Sequence, residues 1–258
     1  MLESNLYDFA FCPEPCYDRL VDLADPEDWG LGNRVLKNYL SFSFKRAAQL
    51  FDRDGGVSAP QVLPLVFEDG CCLFNTGLYT RRYESIYGLF EPNAKEGARQ
   101  QWFLKGFFKE SDPMLNQFEC LPCRVRFYED PSELVYDYRL PIRSNIDHIL
   151  GDEENLKRIP ESLKGEANSL LLRRAFEGAV VEAARRAAAN YTLAVPQFYA
   201  GHIQLLLPLC LTGDKPELAL TIQREDGFYS ARTCLTLEMA YNNARLICRP
   251  ETSWIRLG

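Results

Sequence analysis

Asp147 and His148 stand side by side in a chain that holds only two histidines. Histidine titrates near neutrality and suits general acid–base work on a phosphate ester. Arg139 and Arg143 lie just upstream, and a guanidinium there can hold the phosphate. The competing reading makes Asp147 the cap of a short following helix, with His148 merely packed. His202, after Gly201, is a second candidate acid or base, and nothing in the sequence shows that the two histidines meet.

A second set has the chemistry of binding rather than turnover. Asn75, Thr76, Gln197, Gln204, Asn242 and Asn243 offer amides and a hydroxyl that pair with base edges, and Arg143 and Arg245 offer forks for phosphate. Tyr199, with Tyr229 and Tyr241, supplies stacking surfaces. Asn242 and Arg245 are three apart on an expected helix and share a face. The same amides can instead satisfy buried strand ends and turn backbone. Paired asparagines are poor helix formers, so Asn242 and Asn243 need a local role on either reading.

The nine cysteines include two pairs with metal-like spacing, Cys12 with Cys16 and Cys120 with Cys123. Four thiolates can close a zinc site. An odd count argues against a disulfide framework, and the remaining cysteines fall in apolar segments that read as core. The sequence does not decide whether the two pairs bind zinc. It contains no G-x-x-x-x-G-K-[ST] phosphate loop, no G-x-G-x-x-G, no H-E-x-x-H and no G-x-S-x-G, so no cofactor is assigned. Glu68-Asp69 and Asp152-Glu153-Glu154 read as solvated turns rather than Mg²⁺ ligands.

Composition sets the bounds. The net charge of −7 counts against a non-specific coat on duplex DNA. Arginine nonetheless outnumbers lysine among the 29 basic residues, and arginine is the preferred fork for phosphate and carboxylate. No apolar run approaches the ~20 residues that span a bilayer, so no membrane association is expected. The N-terminus lacks a basic and then apolar leader, which points to a cytoplasmic protein.

These side chains need elements to hold them. Residues 1–30 read as an aromatic, proline-rich extension with a helical patch from Tyr17 to Ala24, and 31–258 as a single domain. Leu36, Tyr39, Leu40, Phe44, Ala47, Ala48 and Phe51 share one helical face, which Gly55-Gly56 would end. Gln61–Glu68, Gly70–Asn75, Ser85–Phe90 and Trp102–Lys109 read as strands, with Arg124–Tyr128 a further candidate. Asp130-Pro131 marks a helix start, and 140–160 is polar and irregular. A long Ala- and Arg-rich helix covers 168–190, followed by strands at 193–199, 203–211, 218–224 and 228–235 and a helix at 238–247. Each half thus runs as a long helix and then a meander, without a residue-level repeat. The fold class is α+β, with mainly antiparallel sheets packed with two long helices, because short connections cannot carry parallel crossovers.

Several blocks together resemble a known family. They are Phe74-Asn75-Thr76-Gly77-Leu78, Ile86–Asn93, Asn145-Ile146-Asp147-His148-Ile149, Ala194–Tyr199, Gln204–Leu209 and Leu235–Leu246. In this order and spacing the chain resembles, over residues about 35 to 255, the prokaryotic family catalogued as domain of unknown function 3825. The resemblance implies company with RNA-binding modules, and hence an RNA or nucleotide connection by association. No such module is visible in this chain, so a target would be met directly or through an RNA-binding partner protein.

The expected function is therefore RNA or nucleotide binding in a pocket lined by amides and arginines, in RNA processing or a defence-related RNA pathway. One alternative is a phosphoesterase or transferase acting on RNA ends or nucleotides. Another is a protein–protein interaction scaffold docking through the aromatic N-terminal segments. Oligomeric state stays open.

Overall fold

The computed structural model describes residues 1–54 and 62–255. Contacts divide the chain into two compact units, Met1–Arg126 and Phe127–Gly258. Among the described residues each unit carries one five-stranded sheet.

In the first unit, Asn5 caps α1 (Leu6–Phe9), which leads into β1 (Ala10–Phe11). Then come α2 (Glu14–Leu23), with proline at its start, and α3 (Arg34–Asp54). The apolar spacing read from the sequence is the buried face of α3: Leu36, Tyr39, Leu40, Phe44, Ala47 and Ala48. β2 (Leu65–Glu68), β3 (Cys71–Tyr79), β4 (Ser85–Pro92) and β5 (Trp102–Lys109) form an antiparallel meander. Phe44 packs its ring against Phe9, Phe74 and Phe90 at 4.8, 5.5 and 6.0 Å between centroids, which fixes α3 on one face of the sheet. Val66, Leu73, Tyr87 and Leu89 form a second core on the other face, closed by Leu115 and Phe118.

The second unit begins with irregular chain and a short 3-10 turn, Pro131–Leu134, capped by Asp130. β6 (Ile142–Ser144), α4 (Ile146–Gly151) and α5 (Glu153–Arg158) follow, and then the 21-residue α6 (Ser169–Ala189). β7 (Val195–Tyr199), β8 (His202–Leu209), β9 (Leu218–Glu225) and β10 (Phe228–Thr236) make a second meander, and α7 (Leu237–Arg245) ends it. Phe176, Ala179 and Ala183 of α6 share a core with Leu205, Leu207, Leu220 and Ile222. Side chains alternate across a strand, so Gln204 and Leu206 face the opposite side, where α7 packs.

The two sheets have one topology. Their orders are β1-β5-β4-β3-β2 and β6-β10-β9-β8-β7, and in each the first, short strand runs parallel to the last. In each unit the 21-residue helix precedes the meander. The helix-then-meander halves of the sequence are thus the same arrangement built twice. The two parallel pairs were not foreseen. β1 and β6 have two and three residues, too few to show a period. Arg124–Tyr128 forms no strand, a second correction. That segment is held by the Cys123 N–H donating to Leu63 O at 2.9 Å and by side chains, rather than by a ladder. The expected helix stop at Gly55-Gly56 and strand start at Gln61 lie outside the described residues.

Candidate functional site

The block Asn75-Thr76-Gly77 is a bulge. Between the pairs Asn75–Tyr87 and Tyr79–Ser85, β3 spends three residues where β4 spends one. Side chains replace the ladder bonds lost there. Thr76 Oγ1 donates to Ile86 O at 2.6 Å and accepts from the Leu78 N–H at 3.1 Å. Asn75 Oδ1 accepts from the Gly77 N–H at 2.9 Å, and the Tyr39 hydroxyl donates to Thr76 O at 2.8 Å. Both side chains are buried.

This bulge also holds something in place. Asn75 Nδ2 donates to Pro122 O at 2.8 Å. Gly77 sits at φ +72°, and a Cβ there would lie 3.3 Å from Arg124 Nε, so the arginine stem lies across the bare glycine. The segment thus clamped, Cys123 to Arg126, lines a cavity of about 200 Å³ together with Arg53 and Asp54 from the end of α3. Arg46, two turns earlier on α3, donates from Nε to Arg126 O at 3.3 Å. Among the described residues, Arg53, Arg124, Arg126 and Asp54 thus line one small cavity. Burial pushes the Cys123 thiol up more than nearby Arg126 lowers it, so the sulfur stays protonated.

In the second unit the amides form a chain. Asn243 Nδ2 donates to Gln197 Oε1 at 3.0 Å, Gln197 Nε2 to Gln204 Oε1 at 2.9 Å, and Gln204 Nε2 to Gln223 Oε1 at 3.2 Å. Register explains it. Gln197 pairs with Gln204, Gln223 with Ser230, and Ser230 with Arg143, so one polar row crosses the sheet from β7 to β6. The row is buried at Gln197 and exposed at Arg143. Arg143 lies 4.2 Å over the Phe228 ring, a cation–π contact at the open end.

The remaining candidates are placed separately. Asp147 pairs with Arg173 of α6, and the cap of α4 is Asn145, whose Oδ1 accepts from the His148 N–H at 3.2 Å. His148 and His202 are exposed. Tyr199 pairs in register with His202 at the β7–β8 hairpin and is 60 % exposed. Asn242 turns its amide N–H back to Glu238 O at 2.9 Å, leaving its Oδ1 buried without a hydrogen bond. Arg245 is buried on α7, and Tyr241 with it. Asn75 and Thr76 belong to the first unit, and the other expected residues to the second.

Sequence reasoning missed Arg53, Arg124, Arg126 and Gln223. The alternation Arg124-Val125-Arg126, with valine buried between half-buried and exposed arginines, was the available signal. All nine cysteines are free thiols. Burial raises the Cys12 thiol to about 12. Among the described residues no three His, Cys, Asp or Glu side chains are grouped to hold a metal ion.

Two five-stranded α+β units of one topology, an arginine cavity behind a bulge and a buried amide chain define the class of protein. The chain belongs to the family described as Domain of unknown function (DUF3825), which it matches over residues 20–254. No curated protein and no solved structure matches it significantly. Among the described residues no helix is long and apolar enough to cross a membrane.

Proposed function

We propose that this chain binds RNA or a nucleotide, taking hold of a phosphate in the arginine cavity of the first unit. The observation that carries this reading is that Arg53, Arg124 and Arg126 all line one cavity, together with Asp54. Guanidinium forks match phosphate oxygens two at a time, and arginine is the side chain best suited to hold a phosphoryl group in this way. Size narrows the ligand. At about 200 Å³ the cavity is below the roughly 300–1,000 Å³ of sites that enclose a small molecule, so it takes a phosphoryl group and leaves sugar and base outside. The bulge contributes by position: Asn75 and Gly77 fix the backbone and stem that bring Arg124 to the cavity. With a net charge of −7 the rest of the molecule repels polyanions, so attraction is local and weakens with salt.

The test is fluorescence anisotropy of labelled single-stranded RNA, with mononucleotides as competitors. Arg126→Gln removes one fork and keeps the carbonyl that Arg46 uses. A lost charge-assisted hydrogen bond is worth ~1.5–3 kcal/mol, so binding is expected to weaken by one to two orders of magnitude, about 1.4 kcal/mol each. Equal binding by both proteins, or binding by neither, rejects the reading.

A further inference from the structure

The second unit has a cleft of its own, about 530 Å³, between the turn at Ser132–Arg139 and β9. Its floor is rigid. Tyr136 is buried and lies against Tyr229, with 5.1 Å between ring centroids, and the Tyr229 hydroxyl accepts from the Asp137 N–H at 2.9 Å. Tyr138, which is 68 % exposed, lines the cleft. Arg139 lines it too, and its fork sits on Asp137: Nε donates to Oδ1 at 2.8 Å and Nη2 to Oδ2 at 2.7 Å. That two-point contact makes a flat, charge-neutral plate. Arg139 holds the Asp137 carboxyl down to about 2, so the plate persists across the physiological pH range.

Charge and shape select the ligand. Arg224 reaches the cleft from β9, where Asp137 lines the cleft and Asp130 lies within reach of the Arg224 charge, so the carboxylates offset much of the charge of the two arginines. An isolated phosphate gains little in such surroundings. A flat, uncharged π-system gains more, because a phenol face and a paired guanidinium both stack on it. Arg224 is left to donate to a polar edge, and Ser132, whose Oγ donates to Asp130 Oδ2 at 2.7 Å, can accept there. The volume suits a ligand of nucleoside size.

We propose that this cleft is a stacking site for one unpaired nucleobase, recognised as a neutral heterocycle without its phosphate. The site stands apart from the phosphate reading of the first unit, and either can fail alone. The test titrates the full chain with adenosine, cytidine and uridine, none of which carries a phosphate, by saturation-transfer NMR and tyrosine fluorescence. Nucleosides are expected to bind, and Tyr138→Ala to weaken them about ten-fold or more, as expected for the loss of one stacking face. Tyr138→Phe keeps that face and retains binding. Arg126→Gln leaves nucleoside binding unchanged, which separates this result from the phosphate test. Absence of nucleoside binding at millimolar concentration overturns the proposal. So does equal binding by Tyr138→Ala, or displacement of the nucleoside by free ribose.

Discussion

Gly77→Ala is expected to lower the stability of the chain by about 3 kcal/mol, although it adds a single methyl group. Two costs combine. A left-handed backbone costs a residue with a Cβ about 1–2 kcal/mol, and Gly77 has φ +72°. The new Cβ would also lie 2.6 Å from the Tyr39 hydroxyl. That hydroxyl must shift, which breaks its bond to Thr76 O inside the core and adds ~1–3 kcal/mol. For a chain of this size each kcal/mol moves the melting temperature by roughly 2–4 °C, so a fall of about 6–12 °C is expected. Tyr39→Phe added to Gly77→Ala removes the clashing oxygen and is expected to recover part of the loss. A melting temperature within a degree or two of wild type would show that the bulge is not strained in this way.

Gln197→Leu is the second large effect, and it belongs to the other unit. Gln197 is 1 % exposed and stands in the middle of the amide chain. Leucine fills a similar volume but leaves the buried Gln204 carbonyl and the half-buried Asn243 amide N–H without their partners. Each orphaned group costs about 1–3 kcal/mol, so a loss of roughly 2–5 kcal/mol is expected in urea denaturation. Combining Gln197→Leu with Asn243→Leu removes one orphan and is expected to cost less than the sum of the two single changes. Strict additivity would mean that the chain is not a coupled unit.

Both effects arise where polar residues occupy sheet interiors, and this is also where the sequence was hard to read. The long helices were legible because Leu36, Tyr39, Leu40 and Phe44 repeat with the helical period along a chain of 21 residues. The meanders were legible from short β-branched and aromatic runs between turn residues. The strands β1 and β6 were not, since their pairing is set by distant partners, Trp102-Phe103 and Tyr229–Ala231. The amides Gln197, Gln204 and Asn243 were recognised as a set from their type. Their order as a hydrogen-bonded row required strand register, which depends on the fold, and Gln223 entered only through that register.

The arginine cavity shows the same division. Asn75, Thr76 and Gly77 stand out in the sequence because an amide, a hydroxyl and a glycine interrupt an apolar strand. Their polar atoms are spent on the bulge and on Pro122, and Arg124, which they position, lies with Arg126 in a segment whose strand-like alternation forms no strand. The unusual residues marked the support of the candidate site rather than its lining.

The most direct measurement is the salt dependence of RNA binding. The logarithm of the association constant for single-stranded RNA falls linearly with the logarithm of salt concentration, with a slope of about −0.7 per phosphate neutralised. If the cavity of the first unit holds a phosphate, Arg126→Gln flattens that slope by about 0.7 and weakens binding most at low salt, while Tyr138→Ala leaves the slope unchanged. An Arg126→Gln slope identical to that of the wild type would contradict the assignment of the phosphate to this cavity.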